Sequence, residues 1–286
     1  MSNGERLREL LSQGELIMAP GAYDAWSAKL VVQAGFPAVY MTGYGVSAST
    51  IGAPDIGLIS FKEMLDAATN ITAGSKAITL CDGDTGFGDR LNVMRTVAAY
   101  EQAGVAAIQL EDQVMPKRCG HMEGKQIISK DEMIAKLRVA QDTRGDPAFC
   151  IIARTDAAAV EGFDAALDRA KAYEAAGADI IFLEALTNEE QMREACATIH
   201  RPMLANMVEH GKTPMLKAQT LHDIGYKIAI YPTGSIFAAT KGVADFLAVL
   251  KQSEDLTACL PNMVDFPTFN RMMGLDNLRA YEKTFD

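Results

Sequence analysis

Residues 103–112 read Ala-Gly-Val-Ala-Ala-Ile-Gln-Leu-Glu-Asp, and this stretch sets the pattern of the whole chain. A helical pattern over 90–103 ends at Gly104, where a glycine supplies the positive φ that a residue after a helix C-terminus needs. The apolar run 106–110 that follows predicts a short buried strand. The strand ends in Glu111 and Asp112, so it delivers carboxylates to its C-terminal end.

The same helix–glycine–strand pattern recurs along the chain, at Ala34-Gly35, Ala176-Gly177 and Ile224-Gly225. Together with other apolar runs it predicts eight strands, at 16–19, 38–41, 77–81, 106–110, 149–153, 179–183, 203–205 and 228–231. Helical patterns occupy the segments between them, at 22–34, 61–74, 90–103, 130–143, 163–176, 187–199 and 213–224. Continuous apolar strands that alternate with helices indicate a parallel sheet covered by helices.

Eight such units predict an α/β fold, a closed (β/α)8 TIM-type barrel, in preference to an open doubly wound sheet. The first strand is followed by Pro20-Gly21 and lacks a dinucleotide-binding Gly-x-Gly-x-x-Gly, and the Gly-rich turn 85–88 is a weak match. Residues 1–286 are interpreted as one domain. Its last segment, 235–286, is predicted to be a Met- and Phe-rich helical tail that packs on its own barrel or on a neighbouring subunit.

Composition narrows the classes of function. The 286 residues are 49% hydrophobic and carry a net charge of −10, which argues against nucleic-acid and membrane-surface binding. Five cysteines without a Cys-x-x-Cys pair fit reduced thiols better than a disulfide framework. The polar N-terminus shows no signal peptide, and no apolar run has membrane-spanning length. We therefore expect a cytoplasmic enzyme.

Acidic side chains recur where the predicted strands end, which is where barrels of this kind place their active sites. They are Asp82, Asp84, Glu111 and Glu184. Each alone is explained as well by capping or by an ion pair, but their repetition favours a cation site. Oxygen ligands without a histidine cluster indicate Mg²⁺, with Mn²⁺ as an alternative.

Three further features accompany these acids. Arg154 has the planar fork that binds a carboxylate, although an ion pair with Asp156 or Glu184 explains it equally well. The glycines around Tyr44 leave backbone N–H groups free for an anion. The loop 116–121, Pro-Lys-Arg-Cys-Gly-His, places Cys119 beside two cations that favour its thiolate; the alternative is a surface loop with a half-buried cysteine.

Four segments in this order resemble the isocitrate lyase/phosphoenolpyruvate mutase superfamily, and the similarity runs from about residue 21 to residue 233. The segments are 82–88 (DGDTGFG), 111–113 (EDQ), 117–121 (KRCGH) and 153–156 (ARTD). The resemblance implies a Mg²⁺-dependent barrel that assembles as a homotetramer, with the C-terminal helix exchanged within dimers.

The resemblance also implies residue roles. Asp84 corresponds to the direct metal ligand, with Asp82, Asp55 and Glu111 acting through metal-bound water. Cys119 corresponds to the catalytic cysteine. Glu111 is expected to be a further catalytic residue, and Tyr40 or a metal-bound water is expected to act as the base. The expected substrate-binding residues are Thr42, Gly43, Tyr44, Arg118, Gly120, His121, Arg154, Glu184 and Asn206.

The implied reaction is cleavage of a carbon–carbon bond in a 2-hydroxy di- or tricarboxylate, of the 2,3-dimethylmalate or 2-methylisocitrate type. The products are pyruvate or another 2-oxo acid and a carboxylic acid, formed through an aci-carboxylate that Cys119 protonates. Residues 122–126 and 231–234 depart from the tricarboxylate-cleaving pattern, which favours a dicarboxylate such as a 2-alkylmalate. Two alternatives remain: an oxaloacetate hydrolase or decarboxylase, and a phosphonate-forming enzyme of the carboxyphosphonoenolpyruvate mutase kind.

Overall fold

Eight parallel strands form the sheet of this protein, of which a computed structural model describes residues 1–285. The strand order is β6-β5-β4-β3-β2-β1-β8-β7, and a parallel bridge between Ile181 and Met203 joins the two ends. The predicted (β/α)8 barrel is therefore confirmed. The strands are β1 (Ile17–Ala22), β2 (Ala38–Met41), β3 (Ile78–Asp82), β4 (Ala107–Glu111), β5 (Cys150–Thr155), β6 (Ile180–Leu183), β7 (Leu204–Asn206) and β8 (Ile228–Tyr231).

Helices lie between the strands and cover the outside of the sheet. Those of the barrel are α1 (Asn3–Ser12), α2 (Ala25–Gln33), α3 (Gly43–Ile51), α4 (Phe61–Ser75), α5 (Arg90–Gln102), α6 (Lys130–Thr143), α7 (Ala157–Val160), α8 (Phe163–Ala175), α9 (Glu189–Thr198) and α10 (Ala218–Ile224). The predicted helices between the strands are all present, although α10 begins five residues later than expected. The sequence patterns missed α3 and α7, which follow directly on β2 and β5.

The helix ends show why these segments fold locally. Ser60 caps α4 and Ser129 caps α6, each in a reciprocal pair with a glutamate three residues on. Gly104 and Gly225, which follow α5 and α10, have φ of 78° and 119°. The glycine stop signals were thus interpreted correctly.

The apolar core forms two layers. Alternate strand residues point into the barrel, where they make one cluster, and the others pack against the helices in a second cluster. Leu7 of α1 is fully buried in the inner cluster together with Ile17 and Ile78. Helix α1 therefore closes the amino-terminal end of the barrel, which leaves the carboxyl-terminal end for polar groups.

The chain divides into two compact units, Met1–Ile236 and Phe237–Asp286. Helix α11 (Gly234–Ser253) begins in the first unit, and the second continues with α12 (Phe266–Met273) and α13 (Leu275–Glu282). Large apolar side chains of the second unit are exposed, among them Leu260, Val264, Phe266, Leu278 and Phe285. No helix within residues 1–285 combines the length and the apolar character needed to cross a membrane.

Candidate active site

Six predicted site residues lie at the carboxyl-terminal end of the barrel, each on or directly after a different strand from β2 to β7. They are Tyr40, Asp82, Glu111, Arg154, Glu184 and Asn206, and all are buried. Parallel strands bring these residues together because all their carboxyl ends meet at one mouth of the barrel. Asp84 follows β3, and Asp55 follows α3, so both reach the same mouth from loops.

Arg154 is the centre of a buried charge cluster. Its guanidinium lies 2.9 Å from Asp156 and 3.3 Å from both Glu111 and Glu184. Burial alone would lower the pKa of Arg154, but these three carboxylates outweigh it and raise the pKa well above its usual range. The ion pairs that the sequence offered as an alternative are present, and the fixed positive charge lies at the barrel mouth, where a substrate carboxylate would enter.

Lys117 was expected only as one of two cations beside Cys119, and its contact with the acids was not predicted. Its ammonium nitrogen lies 2.7 Å from Oδ1 of Asp55 and 2.7 Å from Oδ1 of Asp84, although neither contact has the angles of a hydrogen bond. Burial raises the pKa of Asp84 to about 7 in spite of this lysine. Positive charge therefore already sits between the two acids that were expected to hold a metal.

The acids fit a metal ion that is held mainly through water. Within residues 1–285 no group of three or more His, Cys, Asp or Glu side chains is arranged to bind a metal directly. Glu111 Oε1 is nevertheless buried without a hydrogen-bond partner, whereas Asp84 Oδ1 already contacts the Lys117 ammonium. Buried polar atoms are seldom left unpaired, so the Glu111 oxygen is suited to accept a hydrogen bond from a metal-bound water. One direct carboxylate with others acting through water satisfies both observations.

Tyr40 is placed to donate a hydrogen bond. Its hydroxyl donates to Oε1 of Gln109 at 3.1 Å, and Gln109 donates from Nε2 to Asp82 Oδ1 at 3.3 Å. Burial and the Asp82 charge raise the pKa of Tyr40 well above its usual value. A neutral phenol is a poor base, so the geometry favours a donor role over the base role expected from the sequence.

Helix α3 provides backbone N–H groups at the mouth. Thr42 caps this helix, accepting a hydrogen bond from the Gly45 amide. A Cβ on Gly43 would lie 2.6 Å from Asp82 Oδ2, which shows how closely the helix start approaches the strand ends. The segment around Tyr44, whose N–H groups were expected to be free for an anion, is the first turn of this helix, and the first amides of a helix attract anions.

Side chains from elsewhere hold the cysteine loop in place. Gln113 accepts a hydrogen bond from the Arg118 amide and donates one to the Arg118 carbonyl, and the Cys119 amide donates to the Asp55 carbonyl at 3.1 Å. Burial raises the pKa of Cys119 to about 11. The sequence predicted that the neighbouring cations favour the thiolate. That expectation fails because Lys117 turns to the acids and burial outweighs the remaining charges.

Gly120 and His121 lie against the arginine cluster, whereas Arg118 does not. A Cβ on Gly120 would come within 2.6 Å of Glu184 Oε2 and closer still to Arg154. His121 accepts the Lys212 amide at Nδ1, which directs Nε2 towards Glu184 Oε1 at 3.5 Å. Burial lowers the pKa of His121. Arg118 is exposed and donates to the Glu123 carbonyl.

The two ends of the cysteine loop are fastened together. Val114 donates to the Gln126 carbonyl at 2.8 Å, and Ile128 donates to the Asp112 carbonyl at 2.8 Å. An antiparallel bridge joins Gln113 to Ile127 between these bonds. Residues 114–126 therefore form a closed loop over the barrel mouth.

Buried polar atoms without a partner concentrate at this mouth. Of the seven such side-chain atoms in the described chain, six belong to loops and strand ends around it, in Asp55, Asp84, Thr85, Glu111, His121 and Asn206. The fold and this site define the class of protein as a (β/α)8-barrel enzyme for small anionic substrates.

Comparison with known proteins gives the family. A family model described as phosphoenolpyruvate phosphomutase matches residues 7–251. The chain belongs to the phosphoenolpyruvate mutase/isocitrate lyase superfamily. It is 50% identical to a 2,3-dimethylmalate lyase of Eubacterium barkeri over 100% of this chain and 99% of that protein. It is 41% identical to a 2-methylisocitrate lyase of Aeropyrum pernix over 97% of this chain and 88% of that one.

Solved structures agree with this assignment. A 2,3-dimethylmalate lyase structure is 34% identical with a TM-score of 0.94, covering 99% of this chain and 95% of that chain. An oxaloacetate acetylhydrolase bound to 3,3-difluorooxalacetate is 33% identical with a TM-score of 0.94, covering 99% and 97%. A phosphonopyruvate hydrolase in complex with oxalate and Mg²⁺ is 28% identical with a TM-score of 0.89, covering 99% of both chains.

Proposed function

We propose that this protein is a Mg²⁺-dependent carbon–carbon lyase that cleaves a 2-hydroxy dicarboxylate to a 2-oxo acid and a simple carboxylic acid. The observation that carries this proposal is the half-buried Cys119 thiol, whose pKa is raised by its surroundings, on a loop that packs against Arg154 and Glu184. A protonated thiol beside fixed positive charge is suited to give a proton to a carbanion. Similarity to enzymes named 2,3-dimethylmalate lyase and 2-methylisocitrate lyase supports the same reaction class.

Asp84, Asp82, Asp55 and Glu111 would hold the metal ion, Asp84 directly and the others through water. When bound, Mg²⁺ would act as a Lewis acid on the oxygen atoms of the substrate. Because Lys117 contacts both Asp55 and Asp84 in this structure, we infer that its ammonium shifts away from one of them as a cation binds.

The protein's own groups perform the proton transfers. Arg154 and the first amides of α3 bind and orient the substrate carboxylates. Glu111 would accept the proton of the C2 hydroxyl, because its buried Oε1 has no hydrogen-bond partner. The C2–C3 bond breaks, its electron pair passes to the departing fragment, and Cys119 protonates that carbon. Tyr40 would exchange its hydrogen bond to Gln109 for one to the forming 2-oxo group.

The remaining predicted site residues have supporting roles in this scheme. Asn206 donates to Glu184 Oε2 at 3.0 Å and leaves its own oxygen unpartnered. Glu184 in turn faces His121 and Arg154. Together they would orient the second carboxylate of the substrate. Thr42, Gly43 and Tyr44 would bind the 2-oxo acid half, and Gly120 permits the loop to close over it. Arg118 would reach the substrate only after leaving the Glu123 carbonyl.

A small cavity favours a dicarboxylate that carries an alkyl group. It measures about 270 Å³ and lies between Tyr44, the start of the following loop and Asp55. Its other lining residues are Ala48, Gly52, Ala53 and Pro54. Among the described residues that line it there is no Lys, Arg or His to receive a third carboxylate. Because the Asp55 carboxylate is the charged group in this lining, a methyl or ethyl substituent would fit there better than a further carboxylate.

The second compact unit supports a proposal about assembly. Its apolar side chains, including Leu260, Phe266 and Leu278, are exposed in the single chain. Large exposed apolar side chains that form a contiguous patch mark a protein interface, and this segment carries many of them. We infer that residues 235–286 serve as an oligomerisation segment exchanged between subunits of a homotetramer, and light scattering should give the mass of four chains.

Five free cysteines fit a reducing cytoplasmic location.

The test of function is a panel of 2-hydroxy di- and tricarboxylates with Mg²⁺, coupled to detection of the 2-oxo acid. We expect the 2-alkylmalates to give the highest kcat/KM. Cys119→Ser should abolish turnover while Mg²⁺-dependent binding of oxalate, measured by calorimetry, is retained. Cys196→Ser is the matched control, since Cys196 is also partly buried but lies on α9. Full activity of Cys119→Ser would disprove the assignment.

Oxaloacetate hydrolysis is a second candidate, favoured by the TM-score of 0.94 with oxaloacetate acetylhydrolase. Incubation with oxaloacetate tests this candidate and distinguishes it from a decarboxylase. Hydrolysis yields oxalate and acetate, whereas decarboxylation yields pyruvate. A phosphorus-transferring activity has support in a carboxyvinyl-carboxyphosphonate phosphorylmutase of Arabidopsis thaliana, which is 37% identical over 95% of this chain and 81% of that protein. Phosphorus NMR with candidate phosphonates tests it.

A further inference from the structure

Lys125 is a buried lysine at the far end of the cysteine loop, and none of the roles described above uses it. Its side chain is 2% exposed, and its ammonium lies 2.8 Å from Oδ1 of Asp156, which is fully buried. The same ammonium donates to the carbonyl of Gly120. Burying an ammonium costs several kcal/mol unless it is paired, so both contacts are needed to keep this charge inside.

The contact with Gly120 places Lys125 at the point of the loop that matters for chemistry. Gln113 holds the backbone of Arg118, and the Asp55 carbonyl holds the amide of Cys119. Lys125 holds the next residue along. Of the charged side chains in the loop, Lys117 pairs with candidate metal-binding acids, so its position depends on the metal. Lys125 instead pairs with Asp156, which was not expected to bind a metal.

Asp156 is a rigid anchor. Its amide donates to Asp112 Oδ1 at 2.9 Å, and the other Asp112 oxygen accepts from Thr155 and Tyr173 at 2.7 and 2.8 Å. Its carboxylate also accepts two hydrogen bonds from Arg154, at 2.9 and 3.1 Å. One carboxylate thus ties the arginine expected to bind substrate to the lysine that holds the cysteine loop.

We propose that Lys125 is a positioning residue. Through its contacts with Asp156 and the Gly120 carbonyl, it holds loop 114–126 against the arginine cluster and so fixes the position of the Cys119 thiol relative to Arg154. The proposal deepens the lyase function and rests on it for the role of Cys119. The exposed ion pair of Lys212 with Glu123 touches the same loop, at 2.8 Å, but with a glutamate side chain that is 89% exposed. Exposed pairs contribute little, so this pair should not hold the loop.

The test compares Lys125→Met with Lys212→Met, two variants that each remove one ammonium that contacts a residue of this loop. The measurement is the rate of alkylation of Cys119 by iodoacetamide, followed by peptide mass spectrometry so that the other four cysteines are counted separately. A loop released from Asp156 exposes its thiol. We expect alkylation of Cys119 to be at least ten-fold faster in Lys125→Met and within two-fold of wild type in Lys212→Met. An unchanged rate in folded Lys125→Met would overturn the proposal.

This readout needs no turnover, so it can fail while the lyase assignment stands, and the reverse also holds. Where turnover is measured, Lys125→Met should lower kcat by about 100-fold with a smaller change in KM, because a displaced acid affects the transition state more than binding. Lys125→Arg keeps the charge and should recover part of this loss. A change in KM alone, with wild-type kcat, would contradict the positioning role.

Should Lys125→Met fail to fold, Lys125→Gln serves in the same alkylation assay. Glutamine keeps an N–H donor, but it is shorter and uncharged, so it cannot contact both Asp156 and the Gly120 carbonyl. An alkylation rate at least three-fold above wild type is expected. A folded Gln variant with the wild-type rate would equally overturn the proposal.

Discussion

The two ends of the barrel are built from the same eight strands and are physically opposite. At the amino-terminal end Leu7 of α1 closes the interior over an apolar layer that includes Ile17 and Ile78. At the carboxyl-terminal end the interior gives way to buried charges around Arg154 and Lys117, and six buried polar atoms there have no hydrogen-bond partner. The amino-terminal end is filled by apolar packing alone. The carboxyl-terminal end keeps buried polar atoms whose hydrogen-bond partners a bound ligand would supply.

The difference shows how stability and chemistry are divided in this chain. Apolar burial at the amino-terminal end contributes roughly 25 cal/mol per Å² and needs no partner from outside. Buried charges at the other end cost desolvation energy, which pairs such as Arg154–Asp156 offset only while both members are present. Mutations at the two ends should therefore separate loss of stability from loss of activity. The three that follow run from the largest expected free-energy change to the smallest.

Asp156→Asn should be the most damaging change, since it strikes both properties. It leaves Lys125 and Arg154 with one fewer buried partner, and removal of one member of a buried pair costs about 3–5 kcal/mol. Arg154 and Lys125 lower the pKa of Asp156 to about 2, although burial alone would raise it. The stabilisation is therefore fully present above the unfolded-state pKa and is lost as the pH falls through about 2.

Urea unfolding of wild type and Asp156→Asn at pH 7, 4 and 3 measures this prediction. The difference in unfolding free energy should be largest at pH 7 and should shrink at pH 3. Asp66→Asn, at an exposed pair with Lys62 on α4, is the control and should show little change at any pH. A difference that is independent of pH would mean that the Asp156 charge is not what stabilises the cluster.

Leu7→Ala tests the opposite end. Removing a fully buried leucine costs about 2–5 kcal/mol through lost burial and the cavity left behind. The change should lower the denaturation midpoint while kcat and KM stay within two-fold of wild type at 25 °C, because Leu7 lies beneath the barrel interior and away from the site. Leu10→Ala, at a partly buried position on the same helix, should have a smaller effect. A large loss of kcat in folded Leu7→Ala would show that the two ends are coupled.

Gly120→Ala should act on activity alone. The added methyl would lie 2.6 Å from Glu184 Oε2, so the loop cannot close fully against the arginine cluster. Misplacing the thiol by about 1 Å should lower kcat/KM by about 100-fold, or about 2.7 kcal/mol. The unfolding midpoint should change little, because the loop can move outwards and relieve the contact. Gly242→Ala on α11, where an added methyl meets nothing within 4 Å, is the control.

The periodic parts of this fold were predictable from sequence. Strand runs such as 106–110 and the glycine stops after α5 and α10 depend on local patterns, and they were found. Helices α3 and α7 were missed because each starts within two residues of a strand end, which leaves no separate apolar pattern to read. In α3 the glycines were interpreted as loop signals, although Thr42 supplied an N-cap.

The acids and Arg154 were predictable because they follow strands, and so were the Arg154 pairs with Asp156 and Glu184, but the partners of Lys117 and Lys125 were not. Lys117, Lys125 and Asp156 form pairs across 31 to 62 residues of sequence, and no local pattern reports such contacts. Gln109 lies inside an apolar run and points into the barrel towards Tyr40. Its polarity within that run was a usable signal. The direction of the Cys119 pKa shift was mistaken because sequence shows neighbouring charges and does not show burial.

The fastened ends of loop 114–126 have a consequence for evolution of this fold. Backbone bonds from Val114 to Gln126 and from Ile128 to Asp112 close the loop independently of what lies within it. Residues between these points can be replaced, lengthened or shortened without shifting the register of β4 or the start of α6. Changes in substrate preference can therefore arise within this loop while the strands and helices that hold its ends keep their positions.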